Sequence, residues 1–156
     1  MRKLASIIAV ACGLYGSSIA AQDLPAMRTI IDVEQDLQQK CNITTASVNA
    51  STLASMRYNR IALTDNASAP ALQVTIGGNA TNTHCFAAIT VIISRFMPLT
   101  FNLNHEILGE AMYCNSLGYV ITDKWRFTEE VNDLSKRAIE QCLAELETFK
   151  LSAPVD

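Results

Sequence analysis

From Pro25 onward the apolar residues Ile30, Val33, Leu37 and Cys41 recur at steps of three and four, the spacing of one helical face. Asp23 or Leu24 is placed to cap such a helix and Pro25 suits its first turn, while Asp32, Glu34, Asp36, Gln38 and Gln39 fill its other faces. The pattern predicts a helix from Pro25 to about Lys40, broken by Asn42-Ile43-Thr44-Thr45. Residues 43–55, rich in Thr, Ser, Asn and Ala, read as a loop or irregular strand. The period then changes to two. Met56, Tyr58, Arg60 and Ala62 alternate with Arg57, Asn59, Ile61 and Leu63, predicting a first strand. Asp65 to Pro70 is a turn, and Leu72, Val74 and Ile76 alternating with Gln73 and Thr75 give a half-buried second strand, closed by Gly77-Gly78-Asn79.

Cys85 to Arg95 is the most apolar run. Ile89, Val91 and Ile93 point one way, and Phe86, Ile92 and Phe96 the other, which predicts a central strand stopped by Pro98. A long connection, Leu99 to His105, leads to a fourth strand over about Ile107–Thr122, with Asn115-Ser116 and Gly118 as candidate bulge or bend points. The last element is a helix with the apolar stripe Val131, Leu134, Ala138, Cys142, Leu146 and Phe149. Thr128 is placed to cap it, and Glu129 and Glu130 suit its positive N-terminus. Helix, four strands, helix, with short links between strands, predicts an α+β fold: a four-stranded, mostly antiparallel meander with both amphipathic helices on one face, a two-layer sandwich.

The first residues stand apart from this pattern. Met1-Arg2-Lys3, an apolar run from Leu4 to about Tyr15 and the small residues before Gln22 have the three regions of an export signal peptide, with cleavage expected after Ala21 or Ala20. The apolar run is shorter than the about 20 residues that span a bilayer. Val10-Ala11-Cys12 also resembles the end of a lipoprotein cleavage box, with Ala9 where such boxes usually carry Leu; processing there would leave a lipidated Cys12. The expected organisation is a signal peptide over 1–21 and one domain over 22–156.

Export changes the meaning of the cysteines. Apart from Cys12, four remain: Cys41, Cys85, Cys114 and Cys142. An even count in an exported chain predicts two disulfides. Cys41 and Cys142 lie on the two helix faces expected to meet on the sheet, and Cys85 and Cys114 lie in two strands that a hairpin centred near Leu99-Thr100 would join. The expected pairs are therefore Cys41–Cys142 and Cys85–Cys114. No Cys-x-x-Cys knuckle is present to hold zinc.

Charge narrows the partners. The leader holds two of the 12 basic residues and none of the 15 acidic ones, so the mature chain carries 10 against 15, a net of −5. There is no basic patch, Arg57 and Arg60 being the densest local cluster before the C-terminal helix, which argues against nucleic acid and against a polyanionic membrane surface. A transmembrane segment is not expected in the mature chain.

Candidate chemistry is sparse. His105-Glu106-Ile107-Leu108-Gly109-Glu110 has Gly109 where the zinc motif H-E-x-x-H needs its second His, and the other His in the chain is His84. His105, Glu106 and Glu110 are retained as a weak candidate site, with no metal and no cofactor expected. No Gly-x-Ser-x-Gly elbow occurs, and Gly77-Gly78 lacks the Lys and Ser/Thr of a phosphate loop. Asn42, Asn49, Asn66 and Asn79 head Asn-x-Ser/Thr triplets, but the Ala-rich leader looks bacterial, so glycosylation is not expected. Tyr58, Tyr113, Tyr119, Trp125 and Phe127 form a possible recognition surface, with core packing the favoured role. The sequence thus points to a small exported binding domain without catalytic function, recognising a protein or an envelope component. The alternatives are a hydrolase-type enzyme using His105 with Glu106 or Glu110, and a structural subunit of an envelope assembly.

Overall fold

The segment expected to open with a helix opens instead with strand β1, Arg28–Val33. The structure is a computed structural model describing residues 24–100 and 106–152. The expected signal peptide and Cys12 lie outside the described residues. In Thr29-Ile30-Ile31-Asp32-Val33 the β-branched side chains favour extended backbone. Val33 is buried and Ile30 is exposed, so this segment does not present a helical stripe to the core. Only the second half of the predicted helix forms, as α1, Gln35–Cys41, with Leu37 and Cys41 buried. Asn42 ends it in the left-handed conformation.

The predicted loop is helix α2, Thr45–Tyr58. Thr44 and Ser47 form a reciprocal capping box, in which the Ser47 amide donates to Thr44 Oγ1 at 3.0 Å and the Thr44 amide to Ser47 Oγ at 3.4 Å. The predicted strand over 56–63 is a correction for the same reason. The helix runs to Tyr58, Arg60 turns the chain at φ 57°, and Leu63 makes only an isolated bridge to Met27.

Strands β2, Ala71–Ala80, β3, His84–Thr100, and β4, Glu106–Asp123, follow. The sheet order is β1-β2-β3-β4. β2, β3 and β4 form the expected antiparallel meander, and β1 runs parallel to β2. The fold is α+β, a four-stranded, mostly antiparallel sheet with helices. Gly77 and Gly78 lie inside β2 and do not close it; Thr81 and His84 bracket the β2–β3 turn. Pro98 does not stop β3, which pairs on through Thr100 opposite Glu106, with Pro98 opposite Leu108. The bulge falls at Tyr113, between Cys114 (opposite Ile93) and Met112 (opposite Ser94), while Asn115, Ser116 and Gly118 stay in register.

Helix α3, Phe127–Ser152, completes the chain. Phe127, Val131, Ala138, Ile139, Cys142, Leu143 and Leu146 are buried from it. Thr128 lies within the helix, and its hydroxyl donates to the Asn42 carbonyl at 3.3 Å. The core lies between this helical layer and one sheet face: Leu72, Val74 and Ile76 of β2 and Ile89, Val91 and Ile93 of β3 belong to the same buried cluster as Leu37, Val48, Met56 and Ile139.

The disulfides are Cys41–Cys85 and Cys114–Cys142, with Cα separations of 6.1 and 5.4 Å. All four predicted cysteines are paired, but the expected partners are corrected. Cys114 stands opposite Ile93 on β3, eight residues along the strand from Cys85, which stands opposite Thr122. Eight residues of strand cover about 27 Å. That is far beyond the Cα separation a disulfide tolerates. Each bond instead ties a helix to the sheet, α1 to β3 and α3 to β4.

Candidate functional site

β4 is an edge strand, bonded to β3 on one side only among the described strands. Its alternation decides what it shows. Cys114 and Val120 are buried beneath α3, whereas Leu117, Tyr119 and Ile121 are 57, 62 and 73% exposed on the opposite face. Gly118 allows the close approach on the covered side, since a Cβ there would lie 2.7 Å from the Leu134 side chain. On the outward face Phe86, Ala88 and Thr90 stand opposite Ile121, Tyr119 and Leu117, and the Phe86 and Tyr119 rings stack with centroids 6.4 Å apart. The outcome is a row of apolar side chains on the open side of the sheet. Past the bulge Phe96, Met97, Ile107, Leu108 and Met112 are exposed as well, on both faces of the β3–β4 ribbon.

A groove of about 350 Å³ runs along the free edge, lined by Tyr119 to Thr122 of β4 and by Arg126, Glu130, Leu134 and Arg137. Arg126 sits 5.6 Å from the centre of the Trp125 ring and pairs with Glu130. Arg137 donates from Nε to the Asp133 carbonyl at 3.4 Å.

Of the aromatic residues considered from sequence, Phe127 is fully buried, as packing predicts, while Tyr58, Tyr119 and Trp125 are exposed. Tyr119 is central to the face; Trp125 stacks with Arg126 at the end of the groove. Leu117 and Ile121 were missed. The signal was available, since the alternate positions Gly118, Val120 and Thr122 already supply a second, covered face.

The weak candidate trio is not brought together by anything described. His105 lies outside the described residues, as does the Glu106 side chain. The Glu110 carboxylate accepts a 2.6 Å hydrogen bond from Ser94 Oγ on the neighbouring strand. His84 is tied at both ring nitrogens, Nδ1 2.7 Å from Thr83 Oγ1 and Nε2 3.1 Å from Asp123 Oδ1. With both ring nitrogens partnered, His84 suits a latch joining the ends of β3 and β4. Among the described residues, no three His, Cys, Asp or Glu side chains are grouped to hold a metal ion, and no helix is long and apolar enough to cross a membrane.

No protein-family model matches the chain, and no curated protein matches it. Among solved structures, the chain is similar to the crystal structure of the rare lipoprotein B from Shewanella oneidensis, at 10% identity and a TM-score of 0.32, covering 80% of this chain and 96% of that one. So low a score carries no weight for fold or function; the fold rests on this chain's own strand register.

Proposed function

We propose that this chain is an extracytoplasmic binding domain without catalytic function that recognises a protein partner through the open face of β4. The observation that carries this reading is the row Leu117, Tyr119 and Ile121, three large apolar side chains more than half exposed on one face of an edge strand. Contiguous apolar surface of this kind is costly in water and marks interaction sites, and a Tyr with an exposed ring suits a contact that is apolar in body and polar at its tip. Two disulfides support a location outside the reducing cytoplasm, in line with the leader read from the sequence. The opposite sheet face is occupied by helices and core, which leaves the β4 face as the accessible one.

Site-specific photo-crosslinking in cells tests this. A photoreactive residue at Leu117 or Tyr119 is expected to give a discrete protein adduct, and one at Lys40, exposed on α1, is not. Ile121→Asp should reduce the adduct at Leu117 about tenfold or more, as loss of a buried apolar contact would. Equal labelling at Lys40, or no adduct at either β4 position, would overturn the reading.

A further inference from the structure

Resting on that reading, we propose that the groove between the free edge of β4 and α3 receives an extended, acidic segment of the partner protein. The segment adds to the sheet as a fifth strand and places a carboxylate on Arg137.

The backbone supplies the first half of the site. An edge strand presents a row of unpaired N–H and C=O groups, and proteins usually blunt such edges with Lys, Pro or a bulge. β4 has its bulge at Tyr113, but the ten residues from Cys114 to Asp123 contain no Pro, no Lys or Arg, and no charge before Asp123. This stretch is an unprotected template on which an extended chain gains main-chain hydrogen bonds whatever its sequence.

The helix supplies the specificity. Glu130, Leu134 and Arg137 follow one another at steps of four and three, so they share the α3 face that borders the groove, with Arg126 in the turn just before the helix. Leu134, held against Gly118, gives the groove an apolar floor. Arg126 is already committed to Glu130 and to the Trp125 ring. Arg137 is not: beyond the long Nε bond to its own helix, its terminal nitrogens have no protein partner among the described residues. A guanidinium with two free donors beside an open strand edge matches a carboxylate in bidentate geometry. A basic segment would meet two arginines against one glutamate and is disfavoured.

The test is to pan random ten-residue peptides against the mature protein and map the retained peptides by amide NMR. Enriched peptides are expected to be acidic and to shift the amides of residues 119–122. Their affinity should fall about tenfold or more on Arg137→Glu, the scale of a lost charge-assisted pair, and similarly when alternate peptide amides are N-methylated. Four outcomes would overturn the proposal: enrichment of neutral or basic peptides, shifts confined to other surfaces, no peptide retained better than by Arg137→Glu protein, or β4 edges paired between two copies in a concentration-dependent dimer. If any of these occurs while the Leu117 adduct persists, the groove assignment fails and the recognition face stands; if the adduct is also missing, both fall.

Discussion

Gly78 shows how finely a single residue is constrained here. Its backbone is not in the left-handed region, so conformational freedom is not the reason for glycine. Space is the reason. A Cβ at Gly78 would lie 2.0 Å from the Phe86 carbonyl oxygen, which is backbone and cannot rotate away, whereas one at Gly77 would meet only Glu34 Oε2 at 3.6 Å. The Gly78 amide also donates to Glu34 Oε2 at 2.6 Å, tying the residue before α1 to β2. Gly78→Ala is therefore expected to destabilise the protein by about 2–3 kcal/mol through forced backbone displacement, while Gly77→Ala should stay within about 0.5 kcal/mol. Denaturant titration of both variants checks this; equal stability of the two would show that β2 and β3 separate freely at this point. From sequence the same pair looked like a strand-closing turn, because Gly-Gly commonly marks one. The close contact at Gly78 comes from β3 across the sheet, and no local pattern encodes it.

At the level of elements, legibility followed length and amphipathicity. α3, twenty-six residues with a clear apolar stripe, was readable, and so were β2 and β3 with their alternating Ile and Val. The failures lie between 25 and 63. Ile30, Val33 and Leu37 fit helical spacing, yet over eight residues that spacing cannot be told from a strand followed by a helix, and pairing with β2 decided the matter. α2 was invisible for a different reason: it buries Val48, Thr52, Ser55 and Met56, so two of its four core positions are small polar residues that read as loop. The local clue was Thr44 with Ser47, a capping box carrying Ser in place of the usual Glu or Gln. That box should matter. Thr44→Ala is expected to cost about 1 kcal/mol, with faster hydrogen exchange concentrated in the first turn of α2. Unchanged stability would mean that tertiary burial alone defines where α2 begins. The recognition face was half legible: Tyr119 was in view, but the exposure of Leu117 and Ile121 depends on β4 being the last strand of an open sheet.

For the whole molecule, the decisive constraint is how the helical layer is fastened to the sheet. Cys41–Cys85 closes a loop of sequence separation 44 and joins α1 to β3; Cys114–Cys142 closes one of 28 and joins α3 to β4. In the chain-entropy model each bond contributes about 3.5–4 kcal/mol, less any strain. That is a large share of the about 5–15 kcal/mol by which a domain of this kind is stable. The pairing expected from sequence would have stapled helix to helix and strand to strand; the register forbids the second, and its cysteines then turn to the helices that cover them. Non-reducing peptide mapping should therefore recover Cys41 with Cys85 and Cys114 with Cys142. Replacing Cys114 and Cys142 together by Ala is expected to lower stability by about 3–4 kcal/mol. Because Cys142 anchors α3 beneath the strand that carries Leu117, Tyr119 and Ile121, the same variant should lose crosslinking at Leu117 at temperatures where its sheet still folds. The Cys41/Cys85 double variant, which frees α1 but leaves the α3 anchor intact, should keep that crosslink as long as it folds. Equal loss of the crosslink in both variants at matched stability would show that the α3 anchor has no special part in holding the recognition strand.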